Sequence, residues 1–408
     1  MRGHRATLGI VFLIVFIDLV GFGIVIPILP LYAEKFGPSP VLFGLLMASY
    51  SAMQFVFAPI LGRLSDHYGR RPVLLVSLAG SAVGYVMFGF AGSLAVLFAS
   101  RILDGISGGN ISTAQAVMAD ITGPEDRAKG MGLIGAAFGL GFILGPGIAA
   151  ILVDIQPWLP GVAAAVTSIV AWILVMFVLP ETVDPEARRE ARRHPLTFGN
   201  LSRALGAHPL VGLCFAGVLL IVFSFANFET TFAQFATDRY GLDMSRVGWL
   251  FVYAGVLGAV VQGGLVGRLA KRFGEGRLVV VGTVVAAVAV GLVPYTGRIG
   301  SLMLVLALLA VGQGLASPSL SSLTSKLVHP EEVGGVMGIY QAFSSLGRIF
   351  GPFWAEWVYG HLGVAWPYRT ACVVYLLAFA VATWLFVRLR GSGSSGPSVG
   401  VSTGSTTG

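Results

Sequence analysis

Twelve apolar runs, each long enough to cross a bilayer, limit what this chain can fold into. They lie near residues 7–30, 40–62, 73–92, 94–119, 130–154 and 158–179, and, after a polar stretch, near 209–236, 244–267, 277–296, 300–323, 336–361 and 365–388. A membrane helix needs roughly 20 residues, and each run has them. Only 11% of the residues are charged, against roughly 25% in an average soluble domain, so the apolar surface has to face lipid. The predicted fold class is an all-α membrane protein of twelve transmembrane helices in two pseudo-symmetric six-helix bundles.

The chain repeats itself with a shift of about 205 residues. Gly62-Arg63-Leu64 with Gly69 matches Gly267-Arg268-Leu269 with Gly274, and Met131-Gly132, Gly141 and Gly145-Pro146 match Met337-Gly338, Gly347 and Gly351-Pro352. The shift crosses an even number of spans, so both halves share one topology, related by an axis along the membrane normal. The expected units are an N-terminal bundle (1–180), a cytoplasmic linker (181–208), a C-terminal bundle (209–390) and a flexible Gly/Ser tail (391–408). The first run follows Arg2, His4 and Arg5 and is too long for a signal peptide. It reads as a retained helix.

Basic residues set the orientation. With the N-terminus inside, the outer loops hold only Lys35, Arg239, Arg246, Arg298 and Arg369. Arg101 and Arg348 lie within spans, and every other one of the 26 Lys and Arg falls inside. This bias predicts that both termini are cytoplasmic. The same scatter over short loops argues against nucleic-acid binding, despite a net charge of +7. Cys214 and Cys372 sit within apolar runs and read as packed hydrophobes, with no metal pattern.

The segment Gly62-Arg-Leu-Ser-Asp66-His-Tyr-Gly69-Arg70-Arg71 carries the sharpest motif. Its glycines allow a tight helix–loop–helix turn, and Asp66 and Arg70, four apart, are close enough to pair. It closely resembles the loop signature of the major facilitator superfamily, Gly-x-Leu-x-Asp-x-x-Gly-Arg-[Arg/Lys]. Arg101 to Asn110 is similar to the fourth-helix motif of proton-coupled members, and Gly141-x-x-x-Gly145-Pro146 to the helix-5 antiporter signature. The stretch 101–146 resembles the tetracycline-efflux proteins of the 12-helix drug/proton antiporters. The resemblance implies the major facilitator fold, a prokaryotic cytoplasmic (inner) membrane location and proton-driven drug export. It also implies a cytoplasmic latch in which Arg70 bridges Asp66 and Asp120, with Arg71 and Arg127 nearby. Two departures stand out. The third and ninth spans carry no acid, and the loop after the eighth places Lys271 where Asp66 stands and Glu275 where Arg70 stands. The C-terminal half therefore reads as keeping mainly the shape of the motif.

Charges at bilayer depth cost several kcal/mol unless paired or facing water. Asp18, Arg101, Asp104, Glu229, Arg348 and Glu356 are such charges. Asp18 reads as a proton-binding carboxylate or as a fixed ion pair with Arg101. Asp104, three residues from Arg101, reads as its structural partner or as a proton carrier. Glu229 is either a cavity acid that attracts cations or a hydrated glutamate near the outer helix end. Arg348 and Glu356 read as a helix-packing pair. Gln54, Asn110, Gln115, Asn227, Gln234, Gln262, Gln313 and Gln341 are the neutral polar candidates for cavity lining or interhelical hydrogen bonds.

The expected function is export of amphipathic or cationic small molecules in exchange for protons, with lipid as solvent. No cofactor is expected, and the sequence contains no Gly-x-x-x-x-Gly-Lys-[Ser/Thr] nucleotide loop. A sugar or metabolite exporter is the nearest alternative. An intramembrane enzyme is disfavoured because five of the six histidines fall in cytoplasmic segments and the sixth, His361, at an outer helix end, and a sensor because no signalling domain remains.

Overall fold

The computed structural model describes residues 2–38, 40–183, 186, 209–242, 244–329 and 332–392. Nearly all of the linker and the tail predicted from sequence lie outside the described residues. The N-terminal half contains α1 (Arg2–Glu34), α2 (Pro40–Tyr68), α3 (Arg70–Gly89), α4 (Leu94–Ser107), α5 (Asn110–Ile121), α6 (Arg127–Ile155) and α7 (Leu159–Phe177). The C-terminal half contains α8 (Pro209–Tyr240), α9 (Met244–Val260), a π-turn (Val261–Leu265), α10 (Val266–Phe273), α11 (Glu275–Leu292), α12 (Ile299–Lys326), α13 (Val333–Leu362) and α14 (Trp366–Ser392). Twelve crossings result, because α4 with α5 makes one crossing and α9, the π-turn and α10 make another.

Among the described residues, nine stretches are long and apolar enough by themselves to cross a membrane. The other crossings are α2, the broken α4/α5 pair and α13. Gln341, Ser344, Ser345 and Arg348 dilute the hydropathy of α13.

The repeat seen in sequence recurs as backbone geometry. Gly69 at φ 106° and Gly274 at φ 81° each join two helices with no intervening loop. Both values lie in the left-handed region, where a side chain is strained, so glycine is required at each.

The fourth span differs from the single helix expected over 94–119. It breaks at Gly108–Gly109, where α2 crosses closely. A Cβ on Gly108 would strike the Tyr50 ring, and one on Gly109 would press on Ala58 and Leu61. The π-turn answers a similar contact. Gln262 sits opposite Gly132 and Gly135 of α6, where a Cβ would collide with it. Such single-turn π segments recur where a helix must accommodate an inserted group.

Small residues let backbones approach where lipid supplies no hydrophobic drive between helices. Gly141 and Gly145 of α6 face Leu19 and Gly23 of α1, with Pro146 lying within the same helix. Gly145→Val forces a side chain into the Gly23–Ile24 backbone. It is expected to destabilise the detergent-solubilised protein by about 1–3 kcal/mol. Gly147→Val, at a position with open space, should leave thermal unfolding unchanged.

The two halves meet along α2 with α13 and along α6 with the π-turn and α10. Gly62 lies against Gly334, Ala58 against Gly338, and Lys129 against Gly267. These contacts gather at the end carrying Asp66, Arg70, Asp120 and Arg127, called here the basic end. At that end the halves are closed on each other.

Candidate functional site

Two polar clusters interrupt this apolar framework. The first lies at the basic end, where α2 runs into α3 at Gly69. Arg70 is almost fully buried, at 1% exposure, although it is the first residue of α3. Its guanidinium bonds Asp66 at 2.5 Å and Ser65 Oγ at 2.8 Å, and its Nε donates to Asp120 at 3.0 Å. One cation thus joins α2, α3 and α5. Desolvation pushes the Asp66 and Asp120 carboxyls above their ordinary pKa values, while the Arg70 guanidinium pulls the other way.

Asp66 also reaches the other half. Its two carboxylate oxygens accept the amide hydrogens of Gly334 and Gly335, at 3.0 and 2.7 Å, where α13 begins. A carboxylate on a helix N-terminus satisfies orphan amides and meets the positive end of the helix dipole. Gly62 and Gly334 permit the approach, since a Cβ on either would collide with the partner helix.

Two residues at the start of the linker complete the cluster. Glu181 accepts from the Arg70 and Arg71 amides, at 2.8 and 3.3 Å, and so caps α3. Thr182 Oγ1 donates to Asp120 at 3.0 Å. Arg71 turns outward and donates to the Met176 carbonyl. Arg127 donates to the Ala119 and Thr122 carbonyls at the end of α5 and to the Ser325 carbonyl at the end of α12.

The second cluster lies at mid-span. Asp18 on α1 is half-buried, and its Oδ2 accepts from Asn110 Nδ2 at 3.1 Å. Its other oxygen makes no hydrogen bond of normal geometry, the Ser168 hydroxyl standing beside the carboxyl, and among the described residues Asp18 makes no ion pair. Arg101 is bound instead to Asp104, at 3.2 Å, and lies over the Phe88 ring. Of the two sequence readings of Asp18, the fixed pair with Arg101 is therefore not the one observed. A cavity of about 20 Å³ lies against Asp18 and Asn110, its other walls including Val11, Leu74, Leu78 and Ile111. That is room for about one water.

The break in the fourth span feeds this cluster. It frees the Gly108 carbonyl, which accepts Gln54 Nε2 at 2.9 Å. Gln54 Oε1 in turn accepts from Ser345 Oγ at 2.8 Å and from Arg348 Nη2 at 3.0 Å, both on α13. One glutamine thus links the halves at mid-bilayer depth. Arg348 binds Gln54 and not Glu356, which is exposed about two turns further along α13. Glu229 on α8 is exposed, and Arg348 is the charge that acts on it.

The remaining polar candidates divide. Asn227 is fully buried, and neither amide atom finds a partner; Gln115 Oε1 and Gln341 Nε2 are likewise unmatched. Gln313 accepts from Tyr375 at 3.1 Å, which makes it an interhelical bond, and Gln234 is exposed.

The description of the Major Facilitator Superfamily matches residues 11–297 and 214–400. The chain belongs to the major facilitator superfamily. It is similar to the class B tetracycline resistance protein of Escherichia coli, 31% identical over 90% of this chain and 94% of that protein. Multidrug resistance protein 1 of Bacillus subtilis is 29% identical over 93% and 96%. The crystal structure of the human organic anion transporter MFSD10 superposes with a TM-score of 0.81, at 28% identity, over 93% of this chain and 99% of that one.

As a member of the superfamily, the chain is an integral membrane transporter, and the twelve-helix, two-bundle fold expected from sequence is the one observed. Sequence reasoning did not identify Gly334, Gly335, Glu181, Thr182 or Ser345. The adjacent glycines at the start of a span were the available signal for the first two. The others act through contacts 62 to 291 residues away, which no local pattern reports.

Proposed function

We propose that this transporter exports amphipathic small molecules, cations among them, in exchange for protons by alternating access. The observation that carries the reading is Asp18: a carboxylate at mid-span whose neighbours Asn110 and Ser168 are neutral and which makes no ion pair among the described residues. Such a group can change its charge as its surroundings open and close, which a locked ion pair resists. Arg101 and Asp104, buried within the same half, set the local field, and Glu229 on α8, acted on by Arg348, is a second acid. Gln54, Asn110, Gln115, Asn227, Gln341 and Arg348 supply polar groups for the substrate path.

In this reading the basic end is cytoplasmic, both termini face inward, and the membrane is the prokaryotic cytoplasmic membrane. The Asp66–Arg70–Asp120 cluster is then the cytoplasmic latch. Its closure describes an outward-facing state, and the helix-5 glycines and Pro146 form the packing seam with α1. The proton gradient drives the cycle without nucleotide or cofactor. The tetracycline and multidrug resistance proteins among the relatives support a drug-efflux assignment.

Dye efflux from cells expressing the chain tests it. Export of amphipathic dyes should stop when a protonophore collapses the gradient and persist when ATP is depleted with the gradient maintained. Efflux that survives the protonophore, or transport confined to sugars or other polar metabolites, would contradict the proposal.

A further inference from the structure

The loop after the eighth crossing departs from the superfamily motif by charge inversion, and the structure shows what the inverted residues do. Lys271 occupies the place of Asp66, Glu275 that of Arg70, and Lys326 that of Asp120, all at a shift of 205 or 206 residues. Gly274 repeats the backbone turn of Gly69. Glu275 pairs with Lys326 at the end of α12 and accepts from Ser322 Oγ at 3.3 Å. This is the Arg70–Asp120 contact with both signs reversed.

The remaining residue of each set crosses to the other half. Asp66 docks on the start of α13. Lys271 reaches the corresponding start of α6, where it pairs with Asp126 at 3.0 Å. A lysine cannot dock on helix amides, which are themselves donors at the positive end of a dipole. Asp126, at the N-cap of α6, supplies the acid that the inverted polarity requires. The change from Asp66 to Lys271 is therefore matched by an acid at its target.

Arg127 joins the two arrangements. It donates to carbonyls ending both α5 and α12, and its charge acts on both Asp120 and Glu275. The groups form one network: Asp66, Arg70 and Asp120 on one side, Glu275 and Lys326 on the other, with Arg127 between.

We propose that Lys271, Glu275 and Lys326, with Asp126 and Arg127, form a second cytoplasmic clamp of reversed polarity. Its residues are positioning residues that hold the outward-facing state together with the Asp66 latch. The inference rests on the alternating-access reading above.

Charge exchange tests it. In a background lacking Cys214 and Cys372, spin labels at the cytoplasmic ends of the two halves report the populations of closed and open forms. Glu275→Lys and Lys326→Glu alone should each shift the ratio toward the cytoplasm-open form by about five- to tenfold. The double exchange Glu275→Lys with Lys326→Glu should bring it back to within about twofold of wild type. The more exposed pair should show the same pattern for Lys271→Asp and Asp126→Lys, with single-variant shifts below about fivefold.

Single variants that unfold at lower temperature yet keep the wild-type distance distribution would overturn the proposal, because a purely structural pair behaves that way. So would a double exchange that fails to restore it. Because populations are read without transport, a wild-type protein that moves no substrate with the gradient would overturn the efflux reading and leave this test intact.

Discussion

Asp18→Asn is expected to abolish uphill, gradient-driven export while leaving the fold and downhill substrate exchange in place. The substitution keeps the side-chain shape, so α1 continues to pack through Gly21 and Gly23 on α7 and α6. An asparagine oxygen still accepts from Asn110, replacing the bond now made at 3.1 Å. What it cannot do is take up or release a proton at mid-span. Since the neutral amide resembles the protonated acid, the variant should behave as a permanently protonated transporter. It should exchange labelled substrate across the membrane without responding to an imposed pH gradient. Asp104→Asn should behave differently. It leaves Arg101 as an unpaired buried cation, which costs about 3–5 kcal/mol, so the main loss there is in stability.

The second large effect is expected at Arg70. Arg70→Ala strands Asp66 and Asp120, two carboxylates that share one buried cation. Breaking such a pair costs about 3–5 kcal/mol where it is closed. In the proposed cycle the halves separate at the cytoplasmic end, where water would reach both acids and remove the penalty. The loss is therefore borne mainly by the outward-facing form. At about 1.4 kcal/mol per tenfold, the equilibrium should move toward the inward-facing form by between about a hundredfold and a few thousandfold. Cysteine accessibility at the cytoplasmic ends should rise and turnover should fall. Arg70→Lys should recover only part of the difference, since an ammonium lacks the planar fork that bonds two carboxylates at once. Unchanged accessibility in Arg70→Ala would show that the cluster stabilises the bundle and not a state.

Much of this architecture is legible in the chain because the bilayer reads sequence coarsely. Span length and the 205-residue repeat report position along the membrane normal, and the observed helices follow them. The Asp66–Arg70 pair is legible for a related reason: the two residues are neighbours on one turn, so spacing reveals them. Contacts between distant segments were not legible. Arg348 could be flagged as a costly charge, but nothing local shows that its partner is Gln54, 294 residues away. The break at Gly108–Gly109 was hidden for the same reason, since it answers the Tyr50 ring and Ala58 on another helix. The inverted loop was misread as a decayed motif because the acid that compensates Lys271 stands at Asp126, in the opposite half.

The central claim is that substrate and protons move in opposite directions through one protein. Purified wild-type transporter in proteoliposomes, with a pH dye inside and an imposed gradient, tests it most directly. An amphipathic dye should move against its own gradient toward the acidic compartment, and its transport should be accompanied by stoichiometric proton movement the other way. Dye flux that ignores the pH gradient, or that proceeds with no movement of protons, would contradict the account.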